Sequence, residues 1–452
     1  MKVNNFDLPS GLVEIIDILD AKGFESYAVG GCIRDSILKI KPKDWDISTQ
    51  ASPVQIKEIF KNYDTISIGE KYGTIAIKSK IDNIYYETTT YRIDGEYIDN
   101  RRPSSVKYTN DLKSDLARRD FTINAMAYNH KSGLIDFFGG QDSIKKRIIK
   151  TVGSPKTRFS EDYLRIMRAY RFATNLDYNL DSKTRLSALN LKKNLNKISI
   201  ERLQFEFSSI ILSNNFNKIN IFFEDISDIL FPEFYILKGF EQNNIYHIYD
   251  VFYHSLKVLE NTRAYLPLRL SAIFHDTGKY YTKSIDKNGI FHFYNHTEYS
   301  YKIAKESLKK MRYSNQIYNK TIDIIKNHDI DLPDNDVSAR FFLNKFDIDL
   351  AILIIDFQIA DNSAKNLKNA QKKLDSCILA KKLIDNAIKN NEPYKISHLL
   401  INGDDILKNF DIPQSSKIGQ ILNKLLIEII KEPKLNNKIF LLDMARQLCY
   451  NS

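Results

Sequence analysis

The chain has 452 residues, a formal net charge of +10 and a pI near 9.0, with 43% hydrophobic and 12% aromatic residues. That length exceeds one ordinary core and suggests about three domains, and the apolar content excludes a disordered chain. No apolar run approaches about 18 residues and MKVNNFDLPS starts polar, so a soluble, cytoplasmic protein without membrane contact is expected.

The positive balance favours a polyanionic partner, with nucleic acid first, although a lysine-rich surface from biased usage reads the same way. Cys32, Cys377 and Cys449 are far apart and form no CxxC, which fits a reducing compartment without disulfides. Cys32 lies inside a glycine turn, where a small residue packs well, and is read as packing rather than as a nucleophile.

In chain order, GLVEIIDILDAK (11–22) has helical apolar spacing, SYAVGG reads as a strand entering a glycine turn, and IRDSILKI is the next helix. DWDIST follows as a strand and PVQIKEIF as a helix. TISIGEKYGTIAIKS is strand-rich, and NIYYETTTYRI alternates as a strand does. This mixed pattern ends near residue 150, and no strand is expected after it. From about 158 to 452 helix follows helix, with breaks at PEFY, at DKNGIF, at Asn391–Pro393 and at IPQSS. No internal repeat stands out. The outline is an α/β head on a long helical body.

The chemistry concentrates in AVGGCIRDSILKIKPKDWDIST, residues 28–49. On a strand, residues i and i+2 share a face, so Asp44 and Asp46 are expected side by side. Like charges that close are costly unless a cation lies between them, and a hard ion such as Mg²⁺ suits oxygen ligands. Glu87 could join from a neighbouring strand, giving three carboxylates suited to in-line attack on phosphorus. Gly30 and Gly31 let backbone amides approach phosphate at a helix start, and Arg34 adds a forked cation. Taken singly, a DxD is usually a solvated strand edge and a GG only a turn. The order strand, GG, helix, strand, DxD gives them weight.

GGCIRD followed by DWD resembles the nucleotidyltransferase superfamily typified by DNA polymerase β. RRDFTINAMA (118–127), DFFGGQDS (136–143) and EDYLRIMRAYRFATNL (161–176) then follow in the order seen in class II tRNA nucleotidyltransferases, the CCA-adding enzymes and bacterial poly(A) polymerases. SIERLQFEF (199–207), with Glu201, Arg202 and Glu206, resembles their next motif. The resemblance implies a polymerase β-like α/β nucleotidyltransferase head over 1–150 and an all-α neck over 151–240 that binds nucleotide and RNA. It also implies addition of C, C and A to tRNA 3′ ends from CTP and ATP, without a template, and Mg²⁺ at Asp44 and Asp46.

Such an enzyme must read the base with protein. Asp162 and Arg165, three apart, are expected to be neighbours on one helix face. Cytosine and adenine each show an amine beside a ring-nitrogen acceptor; an Asp accepts from the first and an Arg donates to the second. Uracil and guanine present a carbonyl and an N–H there and are mismatched. The alternative is an ordinary surface ion pair. By resemblance, Arg119, Arg168 and Arg171 line the nucleotide site, while Asp120 and Asn124 occupy the sugar-recognising positions. A basic helix face touching tRNA is the alternative for Arg171. RIDGEYIDNRRPSSVKYT (92–109) corresponds to a flexible loop associated in relatives with switching from C to A, which argues against an enzyme adding only C.

Six of the eight histidines fall between His247 and His328. His254, the His275–Asp276 pair in HDTGK, His296, His328 and Asp361 resemble the HD phosphohydrolase pattern, which implies an HD-type helical domain over 241–368. Such a set could bind one or two transition metals and activate water, acting on phosphomonoesters or 2′,3′-cyclic phosphates as some relatives do, or be an idle site on a tRNA-binding fold. His247 and His292 have no assigned role. The segment 369–452 resembles the helical C-terminal region of related enzymes and is expected to grip tRNA by phosphate contacts and shape. The alternatives left open are an A-adding enzyme or poly(A) polymerase, an HD metal phosphohydrolase with an RNA-binding head, and a non-catalytic RNA-binding protein. Oligomeric state is not legible.

Overall fold

The computed structural model describes residues 6–69, 72–95, 97, 104–243, 245–411 and 416–450. The chain divides into two compact units, Met1–Leu230 and Phe231–Ser452.

The first unit opens with α1 (Ser10–Ala21), β1 (Ser26–Val29), α2 (Gly31–Ile37), β2 (Asp46–Thr49), α3 (Pro53–Ile59), β3 (Thr65–Gly69), β4 (Thr74–Lys78) and β5 (Tyr85–Thr90). It continues through β6 (Arg92–Asp94), β7 (Val106–Tyr108), α4 (Leu112–Ala117), β8 (Ala127–Asn129), β9 (Gly133–Ile135), α5 (Gly140–Lys145) and β10 (Ile148–Ile149). Leu12, Ile15, Ile16 and Leu19 of α1, at helical spacing, are fully buried, each contributing about 1.5–3 kcal/mol. A capping box between Ser52 and Gln55 starts α3. Seven strands form one mixed sheet in the order β3-β4-β5-β2-β1-β8-β9. The β2–β5 pair is parallel and puts Asp46 opposite Glu87, while antiparallel β1–β2 puts Asp46 opposite Val29. Past Val29 the chain turns away at Gly30 (φ +87°).

That turn corrects one expectation. β2 begins at Asp46, and Asp44 lies in the loop before it, because β1 offers no backbone partner beyond Val29. The unit ends with α6 (Pro155–Glu161), α7 (Leu164–Leu176), α8 (Ser182–Leu191), α9 (Ile200–Ile211) and α10 (Phe216–Leu230).

The second unit runs through α11 (Pro232–Tyr235), α12 (Val251–Asn261), α13 (Leu266–Phe274), α14 (Lys279–Thr282), α15 (His296–Lys310), α16 (Asn315–Lys326), α17 (Asp336–Lys345), α18 (Ile348–Ser363) and α19 (Leu367–Lys389). It ends with α20 (Gly403–Asn409), α21 (Ser416–Lys431) and α22 (Lys438–Tyr450). Eight consecutive residues of α13, Pro267–Phe274, are buried, so it is a central helix. Two apolar clusters follow, one joining α17, α18 and α19, the other α20, α21 and α22. No described helix is long and apolar enough to cross a membrane.

Strands do occur after residue 150, against expectation. β11 (Asn179–Leu180) pairs with β10, and β12 (Ser284–Ile285) with β13 (Phe291–His292) closes a hairpin over the DKNGIF break. PEFY is α11 rather than a break, with Pro232 at its first turn. The Asn391–Pro393 break follows the end of α19, and most of IPQSS lies outside the described residues. All three cysteines are buried and free. Cys32 Sγ donates to Val29 O at 3.2 Å, and burial pushes its thiol up to about 12, which suits packing and not nucleophilic attack.

Candidate functional site

One cavity of about 700 Å³ in the first unit gathers Gly30, Gly31, Arg34, Asp44, Asp46, Arg119, Asp120, Asn124, Asp162, Arg165, Arg168 and Arg171. Every candidate residue of the head and neck except Glu87 lines it. A larger groove, 1490 Å³, is lined by Phe6, Trp45 and Lys145 among others and holds none of these residues.

Gly30 is needed where it stands. A Cβ on its left-handed backbone would come within 2.9 Å of Arg119 Nη1. Arg119 is boxed between Ser48 Oγ at 3.4 Å and Asp115 at 3.8 Å, and its Nε is buried with no hydrogen-bond partner among the described residues. Burial pushes the Asp46 carboxyl up, the Arg119 guanidinium opposes this, and Glu87 and Asp44 push it further up. Asp44 and Asp46 both line the cavity, and paired carboxylates suit a hard divalent cation; Glu87 sits opposite Asp46 on β5 but does not line it.

Arg34, Asn124, Asp120 and Arg168 form a chain of partners. Arg34 Nη1 donates to Asn124 Oδ1 at 2.7 Å, and Asn124 Nδ2 donates to Asp120 Oδ1 at 3.1 Å. Arg168 donates to Asp120 Oδ2 at 2.7–2.8 Å, and Arg171 Nε lies 2.7 Å from Glu206 Oε2. Burial pushes Asp120 up, but Arg168, Asn124 and Arg165 more than reverse it and hold it down at about 2. The Arg34, Arg168 and Arg171 guanidinium carbons all lie 4.8–5.3 Å from the Phe172 ring centroid.

Asp162 and Arg165, expected to be neighbours on one helix face, are built differently. Asp162 is extended (φ −144°, ψ 106°) at the break between α6 and α7, so it does not share a helix face with Arg165. Its Oδ1 accepts from Leu164 N at 3.0 Å, and its Oδ2 accepts from Arg202 Nη2 at 2.6 Å. Arg165 pairs with Glu161 instead and donates to Arg158 O at 3.0 Å. Both side chains still line the cavity, with Arg202 beside them. Arg202 and Glu206 were visible in the SIERLQFEF motif but were not assigned to the site; their spacing of four, one turn of α9, was the available signal.

Residues 26–150 match the Poly A polymerase head domain and 251–366 the HD domain. A CCA-adding enzyme of Lactococcus lactis is 31% identical over 445 residues, covering 95% of this chain and 96% of that protein. The chain belongs to the CCA-adding enzyme family. A CCA-adding enzyme of Staphylococcus epidermidis is 39% identical over 232 residues, 51% of this chain; there the match spans 56% of the relative's length. Among solved structures, the Bacillus stearothermophilus CCA-adding enzyme in complex with CTP aligns with TM-score 0.68 at 24% identity, covering 98% of this chain and all of that one. The Thermotoga maritima CCA-adding enzyme complexed with tRNA aligns with TM-score 0.60 at 19% identity, covering 98% and 96%. Membership in this family implies a divalent metal at the head.

The second unit of this CCA-family chain holds the other candidate set. His254, His275, Asp276, His328 and Asp361 are buried, and His296 is nearly so. Ligand atoms of His254, His275 and Asp276 lie within 4.8 Å of one another, as do those of Asp276, His296 and His328, so Asp276 is shared. Nδ1 of His275, His296 and His328 sits 3.0, 2.9 and 2.7 Å from the Ala272, Phe293 and Ile325 carbonyl oxygens. A carbonyl only accepts, so each Nδ1 carries the proton and each Nε2 is a bare lone pair. Yet His296 Nε2 and His328 Nε2 are 3.2 Å apart, and His275 Nε2 is 3.1 Å from Asp276 Oδ2. Acceptors facing acceptors at that range fit a cation between them. Burial pushes His328 down to about 3, which keeps it neutral as a ligand must be. Lys279 and Lys365 pair with Asp276 at 2.8 Å and Asp361 at 2.5 Å. His247, with a ring centroid 5.0 Å from that of His254, and His292 line a cavity together with His275, Asp276, His296, His328 and Asp361, which gives location to two histidines that the sequence left without a role.

Proposed function

We propose that this chain adds C, C and A to the 3′ ends of tRNA from CTP and ATP in the cytoplasm, with release of pyrophosphate. The observation that carries this is the single cavity that joins the Gly30–Gly31 turn, the paired aspartates, the arginines of α7 and the Asp162–Arg165 pair. We read residues 1–150 as the head, 151–240 as the neck, 241–368 as the HD-type domain and 369–452 as the tRNA-gripping region.

In this reading the primer 3′-oxygen attacks the α-phosphorus, the α–β anhydride bond breaks and pyrophosphate leaves. Asp44 and Asp46, helped by Glu87, would hold Mg²⁺, which when bound supplies charge neutralisation and acidifies the 3′-hydroxyl. Gly31, Arg34 and Arg119 hold the triphosphate, with Arg168 and Arg171 extending that positive wall. Asp120 and Asn124 face the ribose. Asp162 accepts from the exocyclic amine of cytosine or adenine while Arg165 donates to the ring nitrogen. Catalysis is then chiefly positioning and charge neutralisation.

The test is nucleotide-resolution extension of three tRNA transcripts, lacking CCA, ending in C and ending in CC, with CTP, ATP or both. Addition that stops after CCA is the expected result. A added only to the CC end indicates an A-adding enzyme, and a long A ladder a poly(A) polymerase. Asp44→Ala is expected to abolish transfer and leave tRNA binding largely intact; lost binding with transfer retained per bound tRNA would contradict the metal-holding role.

A second reading belongs to the second unit: a phosphohydrolase centre in which His254, His275, Asp276, His296, His328 and Asp361 hold one or two transition metals. The opposed Nε2 lone pairs of His296 and His328 favour it. Metal analysis after incubation with Mn²⁺ or Ni²⁺ and desalting tests it: bound metal is expected in the native chain and is lost in His275→Ala.

A further inference from the structure

The cavity above the histidine cluster, about 620 Å³, is lined on one side by the β12–β13 hairpin and the residues after it. That is room for a nucleotide-sized ligand. β13 ends at His292, and Phe291, His292, Phe293 and Tyr294 all line the cavity. Phe291 takes Lys283 Nζ at 3.5 Å from its ring centroid, and Phe293 packs at 6.2 Å from Phe240 and takes Lys279 at 5.5 Å. Those contacts fasten the hairpin. His292 and Tyr294 stack on each other instead, with centroids 5.4 Å apart and planes within 5°. Asp286 Oδ2, 3.1 Å from His292 Nε2, fixes the imidazole. Tyr294 remains 70% exposed, a large flat ring at the cavity wall held in place from behind.

Lys326 and Lys373 also line the cavity; their Nζ atoms lie 5.8 and 6.0 Å from the Tyr301 and Tyr246 ring centroids, and among the described residues neither is paired with a carboxylate. A held aromatic plane beside two cations not engaged in ion pairs is the combination that takes a base by stacking and its phosphate by charge.

We propose that the His292–Tyr294 pair is a base-stacking shelf that makes the second centre select phosphate esters of nucleosides over phosphate esters without a planar base. This rests on the reading of the histidine cluster as a phosphohydrolase. In the step concerned, water adds its oxygen to phosphorus, the ester P–O bond breaks, the departing oxygen takes the proton from water, and nucleoside and inorganic phosphate are released.

The experiment compares the full-length, Mn²⁺-loaded chain on uridine 3′-monophosphate and glycerol 2-phosphate. Uridine suits the purpose because the head reading favours C and A. The native chain is expected to prefer the uridine ester. In Tyr294→Ala its KM should rise roughly tenfold, so that the preference collapses, while Tyr294→Phe restores it. A second readout needs no metal: saturation-transfer NMR on the metal-free chain should mark the uracil H5 and H6 protons of uridine 3′-monophosphate, and Tyr294→Ala should lose that signal. A preference unchanged in Tyr294→Ala, or uracil protons equally marked in it, overturns the shelf. Hydrolysis of neither ester by the native chain overturns the phosphohydrolase reading instead, and the NMR comparison then decides the shelf alone. Tyr294 is exposed, so its replacement is not expected to cost folding.

Discussion

Asp162 carries two constraints. One oxygen caps the start of α7 through Leu164 N and the other is held by Arg202 at 2.6 Å. Its carboxylate is therefore held in one orientation, which in the proposed base-reading role would remove the cost of aligning it on binding. The sequence put Asp162 and Arg165 on one helix face; the structure pairs Asp162 with Arg202 and Arg165 with Glu161. EDYLRIMRAY has no glycine or proline to mark a break, and an unbroken helix was the natural reading. The signal was the Asp itself, two residues before an apolar-periodic run, where it caps more readily than it continues a helix. Arg202→Ala should free the carboxylate to rotate. The expected outcome is a roughly tenfold fall in the CTP-over-UTP ratio of kcat/KM, since a charged hydrogen bond is worth about 1.5–3 kcal/mol. A ratio that does not move would show that Arg202 does not orient Asp162.

At the scale of elements, the spacing of Arg165, Arg168 and Arg171 gave the polar face of α7 correctly, because a helix repeats every three to four residues whatever its partners. The partners were not legible. Arg168 meets Asp120 from a different motif, and Arg171 meets Glu206 from α9, pairings set by packing over long sequence separations. The β12–β13 hairpin was missed for the opposite reason: its strands are two residues long, below any periodicity, although the Asn288–Gly289 turn was in view. The α7–Asp120 contact makes a pH prediction. Asp120 is held at about 2 against an ordinary value of 3.8. A carboxylate with a depressed folded pKa stabilises the fold above its unfolded value, and that stability is lost as pH falls from about 3.8 towards 2. The loss amounts to about 2 kcal/mol. Urea unfolding followed by Trp45, the chain's only tryptophan, should show it between pH 5 and pH 2.5. Asp120→Asn should remove that component; an equally steep decline in the variant would assign the acid sensitivity elsewhere.

For the molecule as a whole, the mixed head and helical body were legible because the change from short alternating runs to long periodic ones is a property of the whole sequence. The +10 charge was legible too, but not where it acts. The structure adds that Met1–Leu230 and Phe231–Ser452 each have a core of their own, with the cavity of Gly30, Asp46 and Arg165 wholly in the first and the histidine cluster wholly in the second. A ligand stabilises only the cooperative unit that binds it, by about 2.7 kcal/mol at a hundred times its dissociation constant. For units of this size that is a shift of roughly 5–10 °C. Trp45 fluorescence reports the first unit; the second, almost entirely helical, dominates the rest of the circular dichroism signal. CTP should therefore raise the fluorescence transition and leave the remaining helical transition in place, and Mn²⁺ at the histidine cluster should do the reverse. His275→Ala should cancel the Mn²⁺ effect on the helical transition without altering the CTP effect on Trp45. If CTP moved both transitions equally, the two units would unfold as one, and their separate cores would not be separate in energy.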